Sequence, residues 1–120
     1  LLSRLLGLHE VYEATLAGVP WSGLERGLDL PGRRKGAWLR TDLVALGASE
    51  GEIARVPRLS PAPLVPDAAA GLGVLYVLEG STLGGKFILR DVSARFGLSA
   101  TRGARFFAGY GSRTGAMWRA

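Results

Sequence analysis

Residues 75–87 read LYVLEGSTLGGKF, and the way this stretch folds decides the fold class of the chain. Its centre, GSTLGGK at residues 80–86, fits the first seven positions of the phosphate-cradling pattern G-x-x-x-x-G-K. In that setting the stretch would leave a buried strand and open a helix. GVLYVL at residues 73–78 has the β-branched and aromatic content of such a strand. Three features argue against it. Lys86 is followed by Phe87, where the pattern needs a Ser or Thr to hold magnesium. No apolar run ending in Asp supplies the second magnesium carboxylate. The neighbouring segments are helical in period, with no strand–helix alternation to build a parallel sheet. Upstream, DAAAGLG is a good helix opening, and Leu72, Leu75, Tyr76, Glu79, Leu83 and Phe87 recur at helical spacing. The reading is one long helix over residues 67–96, kinked or flexible at Gly80, Gly84 and Gly85.

Glycine inside a helix costs about 0.8–1 kcal/mol per residue relative to alanine, so three so close together need a reason. One reason is structural: glycine lets two helices pack closely. The other is functional: a large flat molecule must lie directly against the backbone. Gly80 and Gly84 are four apart and share a helix face, with Ser81 and Gly85 beside them. This strip suits a planar cofactor better than a triphosphate.

Working outward, residues 1–17 read as a helix, with Leu1, Leu5, Leu8, Tyr12 and Leu16 on one broad face together with Leu2 and Leu6. Gly18 and Pro20 end it. Residues 21–30 are ambiguous, because Gly23 and Gly27 weaken any helix there. Residues 37–46 form a second helix carrying Trp38, Leu39, Asp42, Leu43 and Leu46, and Ser49 with Glu52 reads as a capping box. VPRLSPAPLVPD is an extended connector, GLSATRG a loop, and FFAGYGSRTG an aromatic, glycine-rich turn after which Ser112 or Thr114 caps a final helix. Trp21, Trp38 and Trp118 read as core or interface residues, and Glu79 as a helix-surface or buried hydrogen-bonding group rather than a catalytic acid.

A chain of 120 residues fits one domain with a sizeable core. No apolar run reaches the roughly 18–20 residues of a membrane span. The absence of cysteine excludes a disulfide framework and a zinc–thiolate site, and fits a cytoplasmic setting. The net charge of +5 suits an anionic partner, or simply a solvated basic surface. Leu1 lacks a cap and TGAMWRA is a helix getting under way, so residues 1–120 are expected to be a single partial domain, cut at both ends.

The combination of LYVLEGSTLGGKFI, FFAGYGSRTGAMWR and WLRTDLVALG resembles the biliverdin-producing bacterial heme oxygenases, particularly the branch associated with bacteriophytochromes. The resemblance covers nearly the whole chain. It implies an all-α helical bundle that sandwiches heme between a proximal and a glycine-kinked distal helix, the latter being the long helix here. The GSTLGGK match to a phosphate loop is then coincidence. By the same resemblance, heme is both substrate and oxygen-activating cofactor, and dioxygen with an external electron donor gives biliverdin, carbon monoxide and ferrous iron. Gly80, Ser81 and Gly84 are the implied catalytic wall; Gly80, Ser81, Gly84, Gly85, Tyr110, Arg113 and Arg119 are the implied heme contacts, the last three toward the propionates. Relatives elsewhere in the superfamily often carry an Asp near this position, and Ser81 departs from that pattern, which leaves the proton route open. Phe106 and Phe107 line the heme edge or seal the bundle. The axial His is expected upstream of residue 1. His9, the one histidine of the chain, sits on an apolar helix face and reads as a packed core residue, so this piece alone is expected to be inactive. The implied partners are a ferredoxin or reductase and a bacteriophytochrome that receives biliverdin; neither nucleic acid nor membrane is expected. The alternative is a non-catalytic heme-binding or scaffold relative of the same fold.

Overall fold

The computed structural model describes residues 1–119, and at residues 25 and 26 the backbone alone; Ala120, the end of the expected domain, lies outside the described residues. Every regular element described is helical. Helix α1 (Leu2–Ala17) is followed by a short α2 (Glu25–Leu28), a 3-10 turn (Pro31–Arg33), α3 (Gly36–Ala45) and α4 (Glu50–Ala54). The connector then leads to α5 (Ala68–Gly80) and α6 (Thr82–Phe96), and the chain closes with α7 (Arg105–Ala108), a 3-10 turn (Gly111–Arg113) and α8 (Thr114–Arg119). Residues 73–78 lie inside α5, which removes the strand that a phosphate loop requires.

The local signals act as their chemistry predicts. Ser49 accepts from the Glu52 amide while the Glu52 carboxylate accepts from the Ser49 amide, the reciprocal cap that starts α4. Asp67 accepts from the Ala70 amide at 2.8 Å and starts α5. Residues 21–30 resolve into the single turn of α2. Thr114 opens α8, but its hydroxyl donates back to the Gly111 carbonyl at 2.9 Å, so it braces the preceding turn instead of capping the helix.

Helices α5 and α6 form one path over Ala68–Phe96, broken at Ser81 alone. The break has a local cause. Ser81 Oγ donates to the Leu78 carbonyl at 2.7 Å, and Thr82 Oγ1 to the Glu79 carbonyl at 2.6 Å. Hydroxyls that return to carbonyls of the previous turn compete with the backbone ladder and bend helices.

Two apolar clusters hold the helices together. Leu6, Leu39, Leu43 and Ile53 join α1, α3 and α4, with Phe106 packed against them. Leu16, Val19, Trp21 and Leu75 join the end of α1 to α5. Each fully buried Leu or Ile contributes about 1.5–3 kcal/mol. Trp21 is fixed in the second cluster, its indole N–H donating to the Leu16 carbonyl at 2.9 Å. The molecule is a slab of 43 × 33 × 17 Å. At an interhelical spacing of about 8–10 Å, that thickness is two helices, so the outer face of α5–α6 is left uncovered apart from Trp118, whose ring edge lies at Gly80.

Candidate functional site

The uncovered face is unusual in composition. At 100° per residue, Gly73, Gly80 and Gly84 fall along its midline. Leu72, Tyr76, Leu83 and Phe87 flank them on one side, Val77 and Ile88 on the other. Tyr76, Val77 and Phe87 are 69%, 68% and 60% exposed. Single exposed apolar side chains are ordinary, but a contiguous set on one helix face marks a surface that binds something.

The glycines singled out by sequence do not share one environment. Gly84 is exposed, and a Cβ there would meet nothing within 4 Å. Gly80 faces the indole of Trp118, whose ring atoms would lie 3.4 Å from an added Cβ. Gly85 is turned inward, and a Cβ there would come within 2.5 Å of the Phe107 carbonyl oxygen. Gly85 therefore serves the close packing of α6 on α7, and only Gly80 and Gly84 remain on the outer strip. Ser81 is exposed at the break, its proton engaged by Leu78 and its lone pairs open. On the inner flank, Ser81, Thr82 and Gly85 border an apolar cavity of about 280 Å³ that reaches Leu5, His9 and Phe107.

Behind the strip lies a buried ionic cluster centred on Glu79, which is 5% exposed. Its Oε2 accepts from Arg33 Nη1 at 3.0 Å and from the Tyr110 hydroxyl at 2.6 Å. Its Oε1 accepts from Lys35 Nζ, which also donates to the Arg33 carbonyl at 2.9 Å and meets the Tyr110 oxygen at 3.1 Å. Lys35 is 1% exposed, and burial holds its pKa below the usual lysine value while Glu79 pulls the other way. Burial and the bond to Glu79 push the Tyr110 phenol up, so it stays protonated and donates. Glu13 closes one side by accepting from the Lys35 and Gly36 amides at 2.5 and 3.1 Å.

His9 is 3% exposed, packs edge-on against Phe106 at 5.1 Å, and has its Nδ1 3.9 Å from Glu13. Burial, then the nearby Lys35 charge, lowers its pKa to about 4, against a smaller opposing effect of Glu79. It is a neutral core imidazole at neutral pH. Asp42, fully buried, accepts from the Arg105 and Phe106 amides at 2.7 and 2.8 Å and so caps α7. Tyr110 is committed to Glu79, whereas Arg113 and Arg119 are exposed; Arg113 Nη2 reaches the Met117 sulfur at 3.7 Å.

Of the four residues that organise this region, Arg33, Lys35 and Asp42 were not among the sequence-derived candidates, whereas Glu79 takes the buried hydrogen-bonding role that the sequence offered for it. The one local signal was Glu79 itself, a lone acid ending the apolar run of α5. Among the described residues no group of three or more His, Asp or Glu is placed to hold a metal ion. What the arrangement offers is one wall for a flat apolar molecule: a glycine floor, aromatic and aliphatic flanks, and exposed arginines on the neighbouring C-terminal segment. No family model, no curated protein and no solved structure matches the chain.

Proposed function

We propose that the chain supplies the distal wall of a heme oxygenase, an enzyme that converts heme to biliverdin, carbon monoxide and ferrous iron with dioxygen and an external electron donor. The observation that carries this reading is the uncovered, glycine-floored apolar face at the break in the long helix, at the residues where the sequence resemblance sets the distal helix. The residues fit one face of a planar tetrapyrrole. Among the described residues none is placed to ligate its iron, because His9 is buried and packed on Phe106.

Bound heme supplies both the oxygen activation and the carbon skeleton that is opened. The chain's own residues do the following. Gly84 keeps side chains off the open part of the floor, so a ring can approach the backbone there, while Gly80 lies under Trp118. The Ser81 oxygen, with its proton held by Leu78, can anchor an ordered water by accepting from it. The floor presents no carboxylate or imidazole, since Glu79 is turned into the ionic cluster. A floor without ionisable side chains would leave a bound tetrapyrrole facing backbone and the Ser81 hydroxyl, the polarity that would steer the chemistry the group supplies. Arg113 and Arg119 are available to propionates; Tyr110, bonded to Glu79, acts by fixing the turn that carries Arg113. The basic surface, net +5, meets an acidic electron-donor protein such as a ferredoxin, or a reductase, and a bacteriophytochrome as acceptor of biliverdin.

The runner-up is a non-catalytic heme-binding or scaffold relative. It is favoured by the packing duty of two glycines, Gly80 under Trp118 and Gly85 under Phe107. A hemin titration of the full-length gene product, followed by addition of reductant, separates the two. A histidine-type Soret band that bleaches as biliverdin absorption rises supports the enzyme. Stable heme binding without bleaching supports the scaffold, and no binding by the full-length product overturns both.

A further inference from the structure

Two tryptophans that pack against α5 are held in opposite ways. Trp21 is 5% exposed and anchored through its indole N–H to Leu16. Trp118 is half-buried. Its ring edge lies against Gly80, 3.4 Å from the position of an added Cβ, and its centroid is 5.2 Å from that of Tyr76 at a tilt of 52°. The edge of an aromatic ring thus already occupies the Gly80 part of the floor that a planar ligand would need. The support under that ring is slight. Helix α8 has 6 residues, and among the described residues one hydrogen bond, from Arg33 Nη1 to the Met117 carbonyl at 3.0 Å, joins it to the body beside the packing of Trp118 on Gly80 and Tyr76. It hangs from a segment with Gly109 at φ +56° and Gly111 at φ +62°, backbone conformations that glycine enters without strain. A void of about 460 Å³ bordered by Leu28, Leu72, Met117 and Trp118 adjoins the ring and gives it space to move.

We infer that Trp118 is an internal occupant of the Gly80 floor that a planar aromatic ligand must displace, which makes it a specificity-determining residue of the site. The inference rests on the tetrapyrrole reading of the wall. An aliphatic or rod-shaped molecule that dislodged the indole would forfeit the tilted aromatic contact with Tyr76 and gain little. A larger flat ring system replaces that contact and covers Gly84 as well. Selection is therefore by planarity and area before any metal–ligand bond is involved.

The test uses this chain labelled with 5-fluorotryptophan, its three ¹⁹F resonances assigned by single Trp→Phe variants, and titrated with iron-free protoporphyrin IX, which needs no axial ligand. The Trp118 resonance is expected to shift on binding while that of Trp21 stays in place. Trp118→Ala, checked for helicity by circular dichroism, is expected to bind the porphyrin about two- to tenfold more tightly, the worth of one aromatic contact removed from the competing state. Binding without movement of the Trp118 resonance overturns the inference, as does weaker binding by Trp118→Ala. If the porphyrin does not bind but the full-length product turns over hemin, the displacement fails and the enzyme reading stands. If neither occurs, both fall.

Discussion

Replacing Glu79 by Gln is the perturbation with the largest worked effect. The carboxylate neutralises two cations, Arg33 at 8% and Lys35 at 1% exposure, and accepts the Tyr110 hydroxyl. An amide of the same shape keeps the packing but leaves Arg33 without its counter-ion and Lys35 with the charge of Glu13 in place of two carboxylates. Breaking a buried pair from one side costs about 3–5 kcal/mol, against a total stability of about 5–15 kcal/mol for a domain of this size. With an unfolding entropy of about 2.1 cal/mol/K per residue, the melting temperature falls by about 12–20 °C. Thermal unfolding followed by far-UV circular dichroism, with urea titration at 25 °C, measures it. The pH dependence carries its own sign. Lys35 already has a lowered pKa from burial, and without Glu79 it is lowered further. Between that lowered value and the ordinary lysine value the unfolded chain binds more protons, so stability rises with pH and the deficit of Glu79→Gln shrinks toward pH 10. A loss below about 1 kcal/mol, independent of pH, refutes the argument, because it is the behaviour of a solvated surface pair. Combining Lys35→Met with Glu79→Gln isolates the coupling: the double variant should lose less than the sum of the singles by at least about 1 kcal/mol.

Gly84→Ala is expected to stabilise the fold by up to about 1 kcal/mol in urea unfolding, since its Cβ meets open space, while it weakens porphyrin binding. Gly85→Ala, whose Cβ meets the Phe107 carbonyl, is expected to destabilise by about 1–3 kcal/mol in the same assay. Asp42→Ala leaves the Arg105 and Phe106 amides without their acceptor and should cost about 1–3 kcal/mol, with faster hydrogen exchange at those two amides. His9, with its pKa lowered to about 4 by burial, must charge on acidification. Its contribution is complete above pH ~6.5 and is lost as pH falls toward 4, up to about 3 kcal/mol. Glu13, pushed up by burial, works in the opposite sense, and unfolding midpoints of His9→Gln against the parent chain from pH 4 to 7 separate the two.

Secondary structure was largely legible because its determinants are local. The Ser49–Glu52 box, the Asp67 cap and the leucine spacing of α1 each act within one or two turns. The interruption of the long helix was expected at Gly80, Gly84 and Gly85 but lies at Ser81, with Gly84 and Gly85 helical inside α6; the Ser81 and Thr82 hydroxyls that return to Leu78 and Glu79 mark it. The ionic cluster was not, because Glu79 meets Arg33 and Lys35 across 46 and 44 residues, and no spacing rule reaches that far. Tyr110 was assigned to a propionate for the same reason: its partner is 31 residues away, and a phenol near exposed arginines reads equally well as a ligand contact. Asp42, in the middle of α3, shows its role only when the amides of Arg105 and Phe106 arrive. The inward turn of Gly85 depends on where α7 docks.

The uncovered face of α5–α6 has a consequence for how the chain behaves among its own copies. Exposed Tyr76, Val77, Phe87 and Ile88 attract one another, while the net charge of +5 keeps molecules apart at long range. Salt acts unequally on the two. The Debye length falls from about 30 Å at 0.01 M to about 3 Å at 1 M, so the repulsion collapses while the apolar attraction persists. The chain should therefore be most dispersed in dilute buffer and drift toward self-association as salt is added, unlike a protein whose contacts are ionic.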